Sequence, residues 1–286
     1  MKKVIKKSYL VAAVLLATIV SCNSDDDTSA TPINIENLEV TIDENPTNGQ
    51  IIGTVQSNSN DALTYNITTQ TPAGALSINA ATGELLVADA SFFDYEVNPT
   101  ITATISVLEA TNSGTVTINL NDLNEVGEYK FGGVIFWVNL LGNEGYSVAM
   151  DNQSAAAPYG CLHTATGATA TAIGTGQANT NAILSICTTS GTAADLVDNL
   201  NTNGYDDWFL PSQDEMREIM NNMIIINTTL TNNGGAAFSV ANANYWTSTE
   251  STAAEARVYN FTNDWFPTDY KSNLHPVRAV RAWSDF

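Results

Sequence analysis

The chain contains few side chains that could act as nucleophiles or bind a transition metal. It has three cysteines and two histidines, which are Cys22, Cys161, Cys187, His163 and His275. No two cysteines have the short spacing of a zinc site. The sequence also lacks a paired-histidine motif, a Gly-x-Ser-x-Gly turn, a phosphate-binding loop and a base beside either later cysteine. It therefore argues against an enzyme and favours a binding role.

Cys22 ends a segment typical of export signals. Four lysines within residues 2–7 are followed by an apolar stretch over residues 9–20, which is too short to span a bilayer comfortably. Ile19-Val20-Ser21-Cys22 then resembles a lipobox, in which the cysteine becomes the acylated first residue of the mature protein. We predict a signal peptide over residues 1–21 and membrane anchoring through Cys22. An ordinary signal peptide with a cysteine near its cleavage site is the alternative.

An acidic run follows the cysteine. Residues 23–27 read Asn-Ser-Asp-Asp-Asp, within a polar tether that we place at residues 22–33. The run resembles the signal that sends lipoproteins of the Bacteroidota to the outer face of the outer membrane. We therefore expect an outer-membrane lipoprotein exposed at the cell surface. The alternative is a solvated linker that merely repels anionic lipid.

The remaining cysteines form an even pair. If Cys22 is lipidated, only Cys161 and Cys187 are left, and both would lie in an oxidising compartment. This favours one disulfide between them. Two free buried thiols are the alternative.

Length and charge limit the classes of partner. The 286 residues are enough for two ordinary domains. Thirty acidic residues against ten basic ones give a net charge of −20, which argues strongly against nucleic acid as a partner. The same charge is compatible with divalent cations, or simply with solubility. The abundance of Asn, Thr, Ala and Gly suits a secreted, β-rich protein.

Residues 34–125 show repeated short segments in which apolar and polar residues alternate. Such segments, with turn signals between them, predict a β-sandwich. Gly83 supplies the positive φ of a hairpin turn between residues 76 and 85. The alternating segments are Leu38-Val40-Ile42, Leu63-Tyr65-Ile67, Ile101-Ala103-Ile105-Val107 and Val116-Ile118-Leu120.

Three acidic motifs in this region resemble those of a cadherin repeat. Asp43-Glu44-Asn45-Pro46 resembles the early glutamate motif of that family. Asp94-Tyr95-Glu96 resembles the Asp-Arg-Glu motif with Tyr in place of Arg, and Asp122-Leu123-Asn124-Glu125 resembles the Asp-x-Asn-Asp linker with Glu in the last position. The hairpin around Gly83 also resembles that of the family. The match covers roughly ninety residues.

The cadherin resemblance implies a Ca²⁺ site at one pole of the sandwich, because carboxylate and amide oxygens are the ligands that Ca²⁺ prefers. The region that follows is not a second cadherin repeat, so the ligands of a second repeat are missing. Either Glu128, the nearest acid downstream, supplies one, or the site binds weakly with extra waters. The alternative is that the acids only solvate a loop pole. The implied ligands are Glu44, Asp94, Glu96, Asp122, Asn124 and Glu125.

Residues 126–286 change in character, with more aromatic residues and the first helical periodicity. One helix is predicted over 193–202 and another from Ser212 onward. Thr192 with Asp195, and Ser212 with Glu215, have the spacing of capping boxes. Met216, Ile219, Met220 and Met223 follow one helical face, which favours a core position for them.

Three further motifs resemble the collagen-like-protein C-terminal domain family, called Lcl C-terminal. They are Gly204-Tyr-Asp-Asp-Trp-Phe-Leu-Pro-Ser212, Tyr245-Trp-Thr-Ser-Thr-Glu250 and Val277-Arg-Ala-Val-Arg281. The resemblance implies an α+β domain of C-type-lectin-like fold, related to the formylglycine-generating enzymes. Members occur in secreted and surface proteins, and some bind glycans. The predicted fold class is thus a cadherin- or immunoglobulin-like β-sandwich followed by an α+β C-type-lectin-like domain.

Two sets of side chains in the second region invite specific predictions. Arg278 and Arg281 alternate along the last strand, and we expect them to pair with Glu250 or Asp214. Trp265 and Tyr270 lie in a polar loop and are the candidate ligand-binding residues, because exposed aromatic rings stack on sugars and form hot spots in interfaces.

Together these features predict a surface-anchored binding or adhesion protein. A Ca²⁺-stiffened sandwich would act as a spacer, and the lectin-like domain would present a recognition surface to a glycan or a surface protein. One alternative is an architectural subunit of a surface complex. Another is an enzyme of the formylglycine-generating type, which would need Cys161 and Cys187 as reactive thiols.

Overall fold

Alternating β-branched and polar residues build most of the first half of the chain. The computed structural model describes residues 31–239 and 244–285, so Cys22, the predicted signal peptide and most of the predicted tether lie outside the described residues. Within these ranges the chain divides into two compact units. The first contains residues 31–41, 46–93 and 100–119, and the second contains residues 42–45, 94–99 and 120–285.

Seven strands form two sheets, and their order is that of a β-sandwich. One sheet has the order β1-β7-β6-β3, and the other has the order β2-β5-β4. In β6 and β7 alternate side chains are buried, as expected when one face of a sheet packs on a core. The predicted β-sandwich is confirmed. The strands are β1 (Leu38–Asp43), β2 (Ile51–Thr54), β3 (Tyr65–Thr71), β4 (Leu76–Ile78), β5 (Glu84–Val87), β6 (Thr100–Val107) and β7 (Gly114–Asn121).

Gly83 makes the predicted hairpin between β4 and β5, which pair antiparallel. Its φ is +72°, and a Cβ at this position would lie 2.7 Å from the carbonyl oxygen of Val55 and 3.2 Å from the ring of Tyr65. Only glycine meets both conditions, since it tolerates positive φ and has no side chain.

The second unit combines nine strands with four helices among the described residues. Its sheets have the orders β16-β10-β9-β8, β12-β13-β14 and β11-β15. No helix in the described ranges is both long and apolar enough to cross a membrane. The strands are β8 (Tyr129–Lys130), β9 (Gly133–Val138), β10 (Glu144–Val148), β11 (Ser154–Pro158), β12 (Asn244–Glu250), β13 (Glu255–Asn260), β14 (Thr268–Tyr270), β15 (Leu274–Val277) and β16 (Val280–Ser284), and the helices are α1 (Gly176–Ile186), α2 (Ala193–Asp198), α3 (Gln213–Asn221) and α4 (Met223–Asn232).

The helix starts follow the predicted caps only in part. Ser212 and Glu215 form the full capping box of α3. Thr192 is the N-cap of α2, but its side chain makes no capping hydrogen bond, and Asp195 accepts from the backbone N–H of Gly191 instead. Helix α2 also ends at Asp198, four residues before the predicted end. The capping box predicted there is therefore wrong.

The two later cysteines form the predicted disulfide. Cys161 and Cys187 are bonded, with their Cα atoms 5.6 Å apart. Cys187 is the C-cap residue of α1, so the bond fastens the end of this helix to the irregular segment that precedes it. Neither cysteine is therefore a free thiol.

Buried charges in this unit are paired differently from the prediction. Arg278 is fully buried and donates to the carbonyl oxygens of Ala149 and Ala236, while Arg281 makes a two-pronged bond to Asp207 at 2.7 and 2.8 Å. The expected pairing of the arginines with Glu250 or Asp214 is wrong. Asp214 pairs with Arg217, its neighbour three residues along α3, because that partner is local.

Glu250 is paired with Lys271 instead. The Lys271 Nζ lies 3.2 Å from the Glu250 carboxylate, and both side chains are almost completely buried. The other carboxylate oxygen accepts hydrogen bonds from the backbone and hydroxyl of Thr166. Burial opposes ionisation, but these bonds and the ammonium group hold the pKa of Glu250 below its usual range. The Glu250 carboxyl therefore favours its ionised form inside the core.

Lys271→Met is expected to lower the free energy of unfolding by about 3–5 kcal/mol, because it leaves Glu250 buried without a cation. The double variant Lys271→Met with Glu250→Gln should recover most of this loss, since no unpaired charge remains. Chemical denaturation measures the free energy of unfolding of the single and the double variant. Arg217→Met is the control, because the Arg217–Asp214 pair is partly exposed and worth about 1 kcal/mol or less. Equal losses for the two single variants would contradict the buried pair.

Candidate metal centre

Glu44 is a buried carboxylate at the end of β1. Its side chain accepts a hydrogen bond from the backbone N–H of Tyr95 at 2.7 Å and another from the backbone N–H of Leu123 at 2.7 Å. Its own backbone N–H donates to the carbonyl oxygen of Asn121. One side chain therefore links the segment after β1 to the loop before β6 and to the segment after β7.

The linkage brings five carboxylates to one place in the second unit. One oxygen from each of Glu44, Asp94 and Glu96 lies within 4.8 Å of the others, and the same holds for Glu96, Asp122 and Glu128. Glu96 belongs to both groups. We call these five residues the acidic pole. They come from three stretches of chain that only the fold brings together.

Desolvation, together with the crowding of like charges, raises the pKa of Glu96. Partial burial raises the pKa of this carboxyl to about 7, and repulsion from Glu44, Glu128 and Asp122 adds to the effect. The nearby Glu125 also has a raised pKa, chiefly from burial, although it accepts a hydrogen bond from Asn45. A bound cation would relieve this repulsion, because an opposite charge favours the ionised form.

The acidic pole contains four of the six residues that the cadherin resemblance implied as ligands. The Asn124 side-chain N–H donates to the carbonyl oxygen of Gly142 at 2.7 Å, while its Oδ1 is buried and accepts no hydrogen bond from the residues that the structure describes, so the oxygen remains available as a ligand. Glu125 is engaged with Asn45. Glu128, named from the sequence only as the nearest downstream acid, lies in the pole. The sequence pointed to Glu128 only through its position shortly after Glu125, because Glu128 belongs to none of the three acidic motifs.

The pole has the chemistry of a site for a hard cation. Ca²⁺ takes six to eight oxygen ligands from carboxylates, carbonyls and water. Five carboxylates can supply most of these from protein alone. No nitrogen or sulfur ligand belongs to either group, so a softer metal such as zinc is disfavoured.

The predicted ligand-binding aromatic residues are on the surface. Trp265 is 63% exposed and Tyr270 is 56% exposed. Neighbouring Phe266 is buried and packs on the ring of Tyr259 at 4.5 Å, which fixes the loop that carries Trp265. Whether these rings contact a ligand stays a prediction.

Comparison with known proteins supports part of the domain composition. Residues 161–281 match the family described as the Lcl C-terminal domain. No curated protein matches the chain.

Solved structures that resemble part of the chain include cadherins. The protocadherin gammaB7 EC3-6 cis-dimer is 17% identical with a TM-score of 0.29, and the match covers 34% of this chain and 27% of that one. The human desmocollin-1 ectodomain is 27% identical with a TM-score of 0.30, covering 33% and 21%. The third cadherin domain of human protocadherin 7 is 19% identical with a TM-score of 0.28, covering 32% and 87%. This chain thus spans about a quarter of the first two. With TM-scores this low, the β-sandwich rests on its own strand order.

Glu96→Gln is expected to raise the melting temperature in cation-free buffer at about pH 8. An acid whose pKa is raised on folding destabilises the fold most above that pKa, here about 7, and the penalty fades as the pH falls towards 4.5. The gain should therefore shrink at about pH 5. Glu36→Gln, an exposed acid outside the pole, is the matched control and should show no such dependence. An equal rise in melting temperature at about pH 8 and at about pH 5 would contradict the raised pKa of Glu96.

Proposed function

We propose that the chain is a surface binding protein whose acidic pole holds Ca²⁺. The observation that carries the proposal is the arrangement around Glu44, whose two backbone hydrogen bonds position the segments that bear the other carboxylates. Cation binding would tie residues 42–45, 94–99 and 120–128 together far more firmly than hydrogen bonds alone. It would thereby stiffen the chain where β1 and β7 end.

The region that matches the Lcl C-terminal domain is the candidate recognition domain. We propose that the region matching the Lcl C-terminal domain has a C-type-lectin-like fold and serves recognition of a glycan or a surface protein. A binding role, as opposed to catalysis, is supported by the disulfide between Cys161 and Cys187, which leaves no free thiol for chemistry of the formylglycine-generating type.

The N-terminal segment bears on where the protein is located in the cell. The lipobox-like segment at Cys22 and the acidic run behind it support an outer-membrane lipoprotein that faces the exterior. A disulfide in the mature region is consistent with an exported protein. In chain order, the sandwich would follow the lipid anchor and precede the recognition domain.

Calcium titration followed by calorimetry and thermal melting tests the cation site. Ca²⁺ should bind and raise the melting temperature, and a concentration of about 100 times the Kd corresponds to about 2.7 kcal/mol of added stability. Asp94→Asn and Asp122→Asn should each weaken binding by about tenfold or more, because each removes a charged ligand. Glu36→Gln should bind like the parent protein. An unchanged melting temperature at millimolar Ca²⁺ would contradict the proposal that the acidic pole binds Ca²⁺.

Fractionation of cells that express Cys22→Ala tests the anchor. This variant should move from the membrane fraction to the soluble fraction, because it lacks the acylated residue. Replacing Asp25, Asp26 and Asp27 with alanine should keep the protein in the membrane but protect it from protease added to intact cells. Ser24→Ala serves as the control for both measurements. Membrane retention of Cys22→Ala would refute lipid anchoring.

A further inference from the structure

A groove of 690 Å³ lies in the second unit, away from the loop of Trp265. Its volume falls within the range of about 300–1,000 Å³ that is usual for small-molecule sites. Aromatic rings supply much of its wall, and we call it the aromatic groove. Its aromatic residues are Phe131, Trp137, Tyr146, Tyr205 and Trp283.

Two glycines make room for the rings. A Cβ at Gly145 would lie 2.3 Å from the indole of Trp283, and a Cβ at Gly132 would lie 2.4 Å from the ring of Tyr205. The rings therefore rest directly on backbone. Trp283 is also stacked on Phe131, with ring centroids 4.3 Å apart and planes inclined by 16°. This part of the wall is rigid before any ligand arrives.

A charged pair fixes the other side of the groove. Arg281 holds Asp207 with two hydrogen bonds, donates to the carbonyl oxygen of Phe131 at 2.9 Å, and places its guanidinium 3.7 Å from the ring centroid of Tyr205. Asp207 therefore neutralises the positive charge of Arg281. The bonds orient Asp207, whose side chain remains half-exposed and able to accept further hydrogen bonds.

The open part of the wall combines ring faces with hydrogen-bonding groups. Trp137 and Tyr146 are half-buried and lie against each other at 5.6 Å, inclined by 46°. Burial raises the pKa of Tyr146, with Glu215 and Glu144 adding to the effect. Glu144 is exposed and can accept.

The charge of the groove selects among ligands. With Arg281 neutralised by Asp207, Glu144 leaves the groove with a net negative charge, on a chain whose net charge is −20. Sulfated or uronate-rich glycans would be repelled. A neutral sugar has no such penalty, and its C–H faces can stack on aromatic rings while its hydroxyls bond to carboxylates.

We propose that the aromatic groove binds a neutral saccharide, with Trp137 and Tyr146 as the stacking platform and Glu144 and Asp207 as hydroxyl acceptors. The inference rests on the proposed function of a surface binding protein and names its ligand class. Phe131, Trp137, Tyr146 and Trp283 lie outside residues 161–281, whereas Tyr205, Asp207 and Arg281 lie within them, so the part of the chain that matches the Lcl C-terminal family forms only one portion of the groove.

Titration with defined oligosaccharides tests the groove. The probes are four neutral hexasaccharides (cellohexaose, xylohexaose, mannohexaose and chitohexaose) and a chondroitin sulfate hexasaccharide, followed by tryptophan fluorescence and calorimetry on the full mature chain. We expect at least one neutral probe to bind and the sulfated probe to bind at least tenfold more weakly. Trp137→Ala should weaken neutral binding at least tenfold, and Trp137→Phe should restore part of it.

Tyr129→Ala is the control, because Tyr129 is an exposed aromatic residue of the same unit that does not line the groove. It should change affinity by less than about twofold, and melting curves confirm that each variant is folded. If Trp265→Ala loses saccharide binding while Trp137→Ala binds normally, the assignment of the aromatic groove as the binding site is wrong. The proposed binding function would still hold. Binding of only the sulfated probe, or of no probe while Ca²⁺ still binds, would overturn the saccharide assignment without affecting the proposed cation site.

Discussion

The carboxylate of Glu44 is the interaction on which the acidic pole depends. A charged group that is almost fully buried is stable only if strong partners replace water, and two backbone N–H groups do so here. Because those amides belong to distant segments, solvating Glu44 also fixes where the chain runs. The other four carboxylates are close together as a consequence, and their mutual repulsion is the cost of that arrangement.

The same logic governs buried charges elsewhere in the second unit. Lys271 and Glu250 are acceptable in the core because each has its partner, and Arg281 can pack on Tyr205 because Asp207 balances its charge. Local periodicity did not reveal these pairs. The sequence offered two arginines and several acids, but Lys271 lies in a short loop with no pattern around it, so the partner of Glu250 went unpredicted.

Prediction from sequence succeeded mostly where the determining physics is local, although the capping box predicted at Thr192 is wrong. The alternation in β6 and β7, the turn at Gly83 and the capping box at Ser212 depend on neighbouring residues, and all are confirmed. Helix α1 was missed because its Gly, Ala and Thr residues carry little periodicity. The aromatic groove was missed for a different reason: its rings come from positions as distant as 131, 205 and 283, and only the fold makes them neighbours.

The elevated pKa of Glu96 has a consequence for how the pole exchanges charge with its surroundings. Near pH 7 this carboxyl is about half protonated, whereas a carboxylate that coordinates a metal must be ionised. Each cation that enters would therefore expel a fraction of a proton. The heat measured on binding would then vary with the ionisation enthalpy of the buffer, and the medium beside a densely coated surface would become slightly more acid as calcium is taken up.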